Sequence, residues 1–145
     1  MLIPTDTLVL VADGEKALFL RNEGDTKDLN LQVEKKLTQD NPPTGEQAAN
    51  RPGRMSDGGH HKSALDDTDW HELAKDRFAV DLAELLYKRA HSGDFKNLVI
   101  VATPNTLGEL RPHLHQEVVD KLIGELAKNL TNHPIDEIEK MLETL

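Results

Sequence analysis

Apolar residues open the chain in two short runs, 7–12 (TLVLVA) and 17–20 (ALFL), separated by Asp13-Gly14-Glu15-Lys16. Two β-rich runs around a polar turn that contains Gly predict a β-hairpin. A third run, Leu31 to Leu37, alternates at Leu31, Val33 and Lys35 with charged neighbours, which predicts a strand with one wet face. Three antiparallel strands are therefore expected to open the domain. Residues 38–68 then hold three prolines, four glycines and only Met55 and Leu65 as larger apolar side chains, a composition that predicts a long flexible loop.

Past the loop the period changes from two to about 3.6. Asp69 and Glu72 have the spacing of a capping box ahead of Trp70, Leu73, Phe78, Leu82, Leu85 and Leu86, so an amphipathic helix is expected to run from there to His91-Ser92-Gly93. The run Leu98-Val-Ile-Val-Ala102 is apolar throughout, as in a strand covered on both faces, and is expected to be the central strand. Phe78, Leu82, Leu85, Val99 and Val101 should be buried together. Thr106 and Glu109 form a second capping-box spacing, and Leu107, Leu110 and Leu114 continue a helical stripe that Pro112 divides into two short pieces. Residues 118–130 fit helix by the spacing of Val118, Val119, Leu122, Ile123 and Leu126, while Gly124 weakens helix and strand alike. Ile135, Ile138, Leu142 and Leu145 form the stripe of a last helix behind Pro134. The order predicts a mixed α/β (α+β) fold, in which a mixed sheet with an antiparallel N-terminal meander is covered by helices.

Composition narrows the functional classes. The 145 residues fit one domain spanning the whole chain, and only five are aromatic, so the core must be aliphatic. With 17 Lys+Arg against 26 Asp+Glu the formal net charge is −9, which argues against duplex DNA as a partner, because phosphate affinity comes from cations that release counterions. The absence of cysteine excludes disulfides, thiolate metal sites and a cysteine nucleophile. The opening Leu8–Ala12 is short and flanked by Asp6 and Asp13, so no signal segment, no membrane span and a cytoplasmic location are expected.

Candidate chemistry concentrates in and after the loop. Arg51, Arg54, His60, His61 and Lys62 give it a basic tip unlike the acidic body, and Gly58 and Gly59 allow close backbone approach, so residues 51–64 are expected to form a partner-binding surface. His60, His61, Asp66, Asp67, Asp69 and His71 are metal-ligand types, but adjacent histidines lack the i, i+4 spacing of a helical pair, so no metal or cofactor is assigned. Asp13 ends the first strand as an acid does in ribonuclease H-like nucleases, yet it also begins a hairpin turn. Thr103-Pro-Asn-Thr-Leu-Gly108 follows the carboxyl end of a strand, a frequent ligand position in α/β sheets. Lys62-Ser63 lacks the preceding Gly of a phosphate loop, and Ser56 and Ser63 belong to no recognisable triad.

Several stretches together resemble the bacterial host attachment proteins: Asp6 to Gly14, Arg51-Pro-Gly-Arg54, Asp67 to Glu72, Leu98 to Ala102 with Thr106 to Arg111, and Lys128-Asn-Leu-Thr131. That family is similar in fold to the central domain of the eukaryotic and archaeal class I release factors, which has a ribonuclease H-like topology. The resemblance implies a strand at about residues 120–128. Release factors carry a Gly-Gly-Gln loop that enters the peptidyl transferase centre; here Asp57-Gly58-Gly59-His60 lies in the long loop, with His60 at the Gln position. The resemblance implies first a non-enzymatic binding or adaptor protein, proposed to act in host attachment through the 51–64 loop. The alternative is a ribosome-associated factor that promotes peptidyl-tRNA hydrolysis with Gly58, Gly59 and His60. The expected partner is accordingly a protein or the ribosome.

Overall fold

The computed structural model describes residues 1–39 and 64–145, and between 64 and 72 the backbone alone. Strands β1 (Leu8–Ala12), β2 (Lys16–Asn22) and β3 (Leu31–Thr38) form the antiparallel meander. Helix α1 (Ala64–His91) crosses to β4 (Leu98–Ala102), which pairs parallel with β1. A short helix α2 (Pro104–Leu110), a 3-10 turn at Arg111–His113 and one turn of helix α3 (Gln116–Val119) lead to β5 (Leu122–Ala127), parallel to β4, and α4 (Ile135–Glu143) closes the chain. The sheet order is β3-β2-β1-β4-β5, so the fold is the mixed α/β arrangement expected, with a five-stranded mixed sheet and four helices among the described residues. The strand implied at 120–128 is present as β5, and the break at Pro112 gives two short helical pieces.

Four expectations shift. First, the middle of the sheet is β1, with β4 beside it, although every residue of both strands is buried. Second, α1 begins at Ala64 and runs 28 residues, so Asp69 lies inside the helix instead of capping it. Ala and Leu open it readily, and the acids at 66 and 67 fall in a first turn that favours negative charge. Third, the cap of α2 is Thr103, whose Oγ1 accepts the Thr106 N–H at 3.2 Å; Thr106 is a buried helical residue. Fourth, Val99 and Val101 do not meet α1. Alternate strand residues point to opposite faces, so Leu98, Ile100 and Ala102 join Phe78, Leu82 and Leu86 under α1 with Leu85 half-buried beside them. Val9, Val11, Val99 and Val101 lie under Ile138 and Leu142 of α4.

Polar anchors fix the edges of these layers. The register shifts between Phe19 and Leu20, and of β3 only Leu31 and Leu37 are buried, with Val33 left 44% exposed. The turn after α1 uses Gly93 at φ +77°, and Asp94 N donates back to Arg89 O at 2.9 Å, which closes a Schellman-type end. Buried Asn22 uses both ends of its amide: Nδ2 donates to Ile3 O and Pro4 O, and Oδ1 accepts from Gly24 N and Asn30 N. Arg21, Glu34, Arg89 and Asp94 alternate in sign around a ring with contacts of 2.6–3.2 Å that joins β2, β3 and the end of α1.

Candidate functional site

Because β1 and β4 run parallel, their carboxyl ends, Ala12 and Ala102, lie side by side. The turns that follow, at Asp13-Gly14-Glu15 and Thr103-Pro104-Asn105, open a polar cleft of about 500 Å³ together with Lys75 of α1 and Asn129. This is where ligand sites gather in α/β sheets, since neighbouring connections diverge there. The Thr103 segment singled out from sequence forms one wall. Its two hydroxyls are tied together, Thr103 Oγ1 lying 2.9 Å from Thr106 Oγ1.

Asp13 forms the opposite wall as a structural residue. Its Oδ1 accepts the N–H groups of Glu15 and Lys16, each at 2.8 Å, and its Oδ2 accepts the Thr131 hydroxyl at 2.8 Å. Three donors on one carboxylate make it a turn-former, not an acid converging with others. Among the described residues no group of three or more His, Asp or Glu is arranged to hold a metal ion.

Lys75 was not visible as a site residue in the sequence. It sits on the helix one turn before the buried stripe begins at Phe78, like any solvated lysine. In the structure its stem lies against Gly14, where a Cβ would come within 3.2 Å of Lys75 Cγ and Cδ, so the absent side chain at Gly14 lets the lysine cross the cleft. Asn129 and Thr131 had one signal, their place in the Lys128–Thr131 stretch that carries part of the resemblance. Asn129 Oδ1 accepts Thr131 N at 3.3 Å and lies 2.9 Å from its hydroxyl, which turns the chain back toward Asp13.

The cleft also marks where the long segment leaves the described structure. Gln39, after β3, donates its backbone N–H to Glu15 O and its Nε2 to Gly14 O, both at 2.8 Å. Ala64 begins the helix that carries Lys75, and the 11 positions from one to the other correspond to about 16 Å of helix. Both attachments of the segment thus belong to elements that line the cleft. The sequence-derived site residues Arg51, Arg54, Gly58, Gly59, His60, His61 and Lys62 lie outside the described residues, as do the side chains of Asp66, Asp67, Asp69 and His71.

A second polar cluster lies at the far end of α1, and sequence spacing gave no hint of it. The Tyr87 and His115 rings are 4.1 Å apart between centroids, and His91 Nδ1 is 3.2 Å from Glu117 Oε1. These contacts dock α3 on α1. No histidine of this cluster approaches the cleft residues.

A mixed five-stranded sheet with a crossover helix, and a long insertion between the meander and that helix, defines the class of domain expected from the release-factor resemblance. A model of the family described as bacterial archaeo-eukaryotic release factor family 12 matches residues 6–142, and the chain belongs to that family. The match supports the release-factor side of the sequence reading and gives no support to the host attachment name. No curated protein matches the chain. Among the described residues no helix is long and apolar enough to cross a membrane.

Proposed function

We propose that this protein acts at the ribosome as a release-factor-like protein, and that its 51–64 segment is the part that reaches peptidyl-tRNA. The observation that carries the reading is the family match over residues 6–142, which spans the sheet, the cleft and the segment between them. In this reading Gly58 and Gly59 let the backbone approach the ester closely, and His60 hydrogen-bonds a water. The water oxygen attacks the ester carbonyl carbon, the bond to the tRNA ribose oxygen breaks, and that oxygen takes up a proton, leaving a free peptide acid and a tRNA with its hydroxyl restored. Arg51, Arg54 and Lys62 supply positive charge toward ribosomal RNA in a chain whose net charge is −9.

Sedimentation of the full chain with ribosomes through a sucrose cushion, paired with release of labelled peptide from a stalled ribosomal complex, tests the proposal. The protein is expected to pellet with ribosomes and to raise peptide release. The triple change Gly58→Ala, Gly59→Ala and His60→Ala should leave pelleting intact and abolish release. Pelleting without release would favour the non-enzymatic adaptor reading at the ribosome. A nuclease-resistant protein partner with no ribosome association would move that adaptor role elsewhere and overturn the proposal.

A further inference from the structure

Helix α4 covers the second face of the sheet only in part, over Val9, Val11, Val99 and Val101. Toward β3 the same face opens into a groove of about 410 Å³ between β2, β3 and the turn at 131–135. Alternate residues of a strand share a face, so Lys16 and Leu18 lie on the side of Leu20, which packs in the cluster under α4. The register sets Lys36 opposite Leu18 and Val33 opposite Leu20, and residues directly opposite point the same way, so both join that side. Ile135, at the start of α4, completes the lining.

Charge and apolar surface are separated along this groove. Lys16 and Lys36 gather toward the first hairpin turn and are diagonal neighbours on paired strands, within reach of one small anion. Leu18 and Val33 form an aliphatic floor with Ile135, and Val33, left exposed, lies farther from the turn than the lysines. His133 also lines the groove, and no Asp or Glu is among its described lining residues. The Lys16 ammonium donates to the neutral Asn132 amide oxygen, so its charge is uncompensated. Lys36 makes no ion pair with any described residue. Thr38, at the same end, already holds an interaction of its own, which leaves the two lysines to meet an incoming charge. In a chain of net −9 this is a local reversal of sign.

We propose that this groove binds a free medium-chain fatty acid, its carboxylate held between Lys16 and Lys36 and its alkyl chain laid over Leu18, Val33 and Ile135. From the level of Lys16 to that of Leu20 and Val33 the strand rises about 13 Å, the reach of an extended acid of about ten carbons. A ligand with one charged end and an apolar length behind it matches lysines and aliphatic side chains that share a face, whereas an extended peptide turns successive side chains to opposite faces. Single-stranded nucleic acid fits less well, because no Phe, Tyr or Trp lines the groove for bases to stack on. The site lies on the opposite face of the sheet from α1, and its test does not depend on the ribosomal reading.

Calorimetric titration of the full chain with hexanoate, octanoate and decanoate, each kept below the concentration at which it forms micelles, tests the proposal. Decanoate should bind, and each shortening by two methylenes should weaken binding several-fold, because the tail is held by apolar area removed from water. Decanol, which has the tail without the charge, and decyltrimethylammonium, which has the opposite charge, should bind at least about tenfold more weakly than decanoate. The double change Lys16→Gln and Lys36→Gln should weaken decanoate at least about tenfold with an unaltered melting curve. Should that pair unfold the protein, Lys36→Gln and Val33→Asp, each at an exposed position, give the same readout separately. Equal binding of decanol, affinity independent of chain length, or decanoate binding indifferent to these changes overturns the proposal. So does binding to phosphatidylglycerol vesicles that the lysine changes abolish while decanoate is not bound, which would assign the surface to a membrane.

Discussion

Thr131 donates its hydroxyl hydrogen to Asp13 Oδ2 at 2.8 Å across 118 residues of sequence. The bond joins the first hairpin turn to the segment that follows the last strand, and so holds one wall of the polar cleft to its rim. Thr131→Val is expected to cost about 1 kcal/mol, and Asp13→Ala more, because it also strips the acceptor from two backbone N–H groups of the turn. Asp13→Asn keeps a side-chain acceptor and should fall between wild type and Ala. Urea unfolding of the three variants checks the order.

Phe78→Ala should destabilise the protein by about 3–5 kcal/mol, since the ring is 3% exposed and packed between α1 and the sheet. A thermal melt unchanged from wild type would show that α1 does not cover the sheet through this residue.

Stability should fall in acid through the Arg21–Glu34–Arg89–Asp94 ring. Burial raises the Glu34 and Asp94 pKa values, but the hydrogen bonds and charges of Arg21 and Arg89 outweigh it and hold both below their ordinary values of 4.5 and 3.8. A carboxylate with a depressed folded pKa stabilises fully above its unfolded pKa and loses that contribution as pH drops through the folded value. The urea midpoint should therefore decline as pH falls below about 4.5, with the loss continuing beneath the ordinary Asp value. Arg89→Met keeps an aliphatic stem near Phe19 and should flatten this decline; an unchanged pH profile would assign the acid sensitivity to other groups.

Gly93→Ala should cost about 1 kcal/mol. Nothing lies within 4 Å of the added Cβ, so the penalty is the left-handed backbone at φ +77°. A comparison with Gly108→Ala, also in open space but inside α2, separates the two effects: that change should be neutral or stabilising.

The meander, the long helix and the buried run at 98–102 were legible because their periods are clean and their turns carry Gly and Pro. What misled were signals with two meanings. Asp69 with Glu72 spells a capping box, but the same residues fit a helix interior once Ala64 and Leu65 extend it upstream. Thr106 lost its capping role to Thr103 for a related reason: the residue before a Pro favours extended backbone, so the helix starts at Pro104. A run of five buried residues contains no polar position to mark its sides, so Val99 and Val101 lie on the face opposite to the one expected. At the cleft, the two strand-end turns could be read locally, whereas Lys75, Asn129 and Thr131 reach it from elements distant in sequence. Residues 51–62 were prominent in sequence through charge and glycine content, and they lie outside the described residues.

The position of β1 has a consequence for how the molecule assembles. It pairs with β2 across a tight turn, but its other neighbour, β4, starts about 90 residues later, so that pairing must close a long loop and meet its entropy before any contact forms. The hairpin should therefore form early and the parallel β1–β4 seam late, placing the rate-limiting barrier at the docking of the meander onto the α1–β4 crossover. Changes in the first hairpin turn, and mutations under α1 that touch both halves, Phe78→Ala among them, should then slow folding, while changes at contacts made only after this docking act mainly on unfolding.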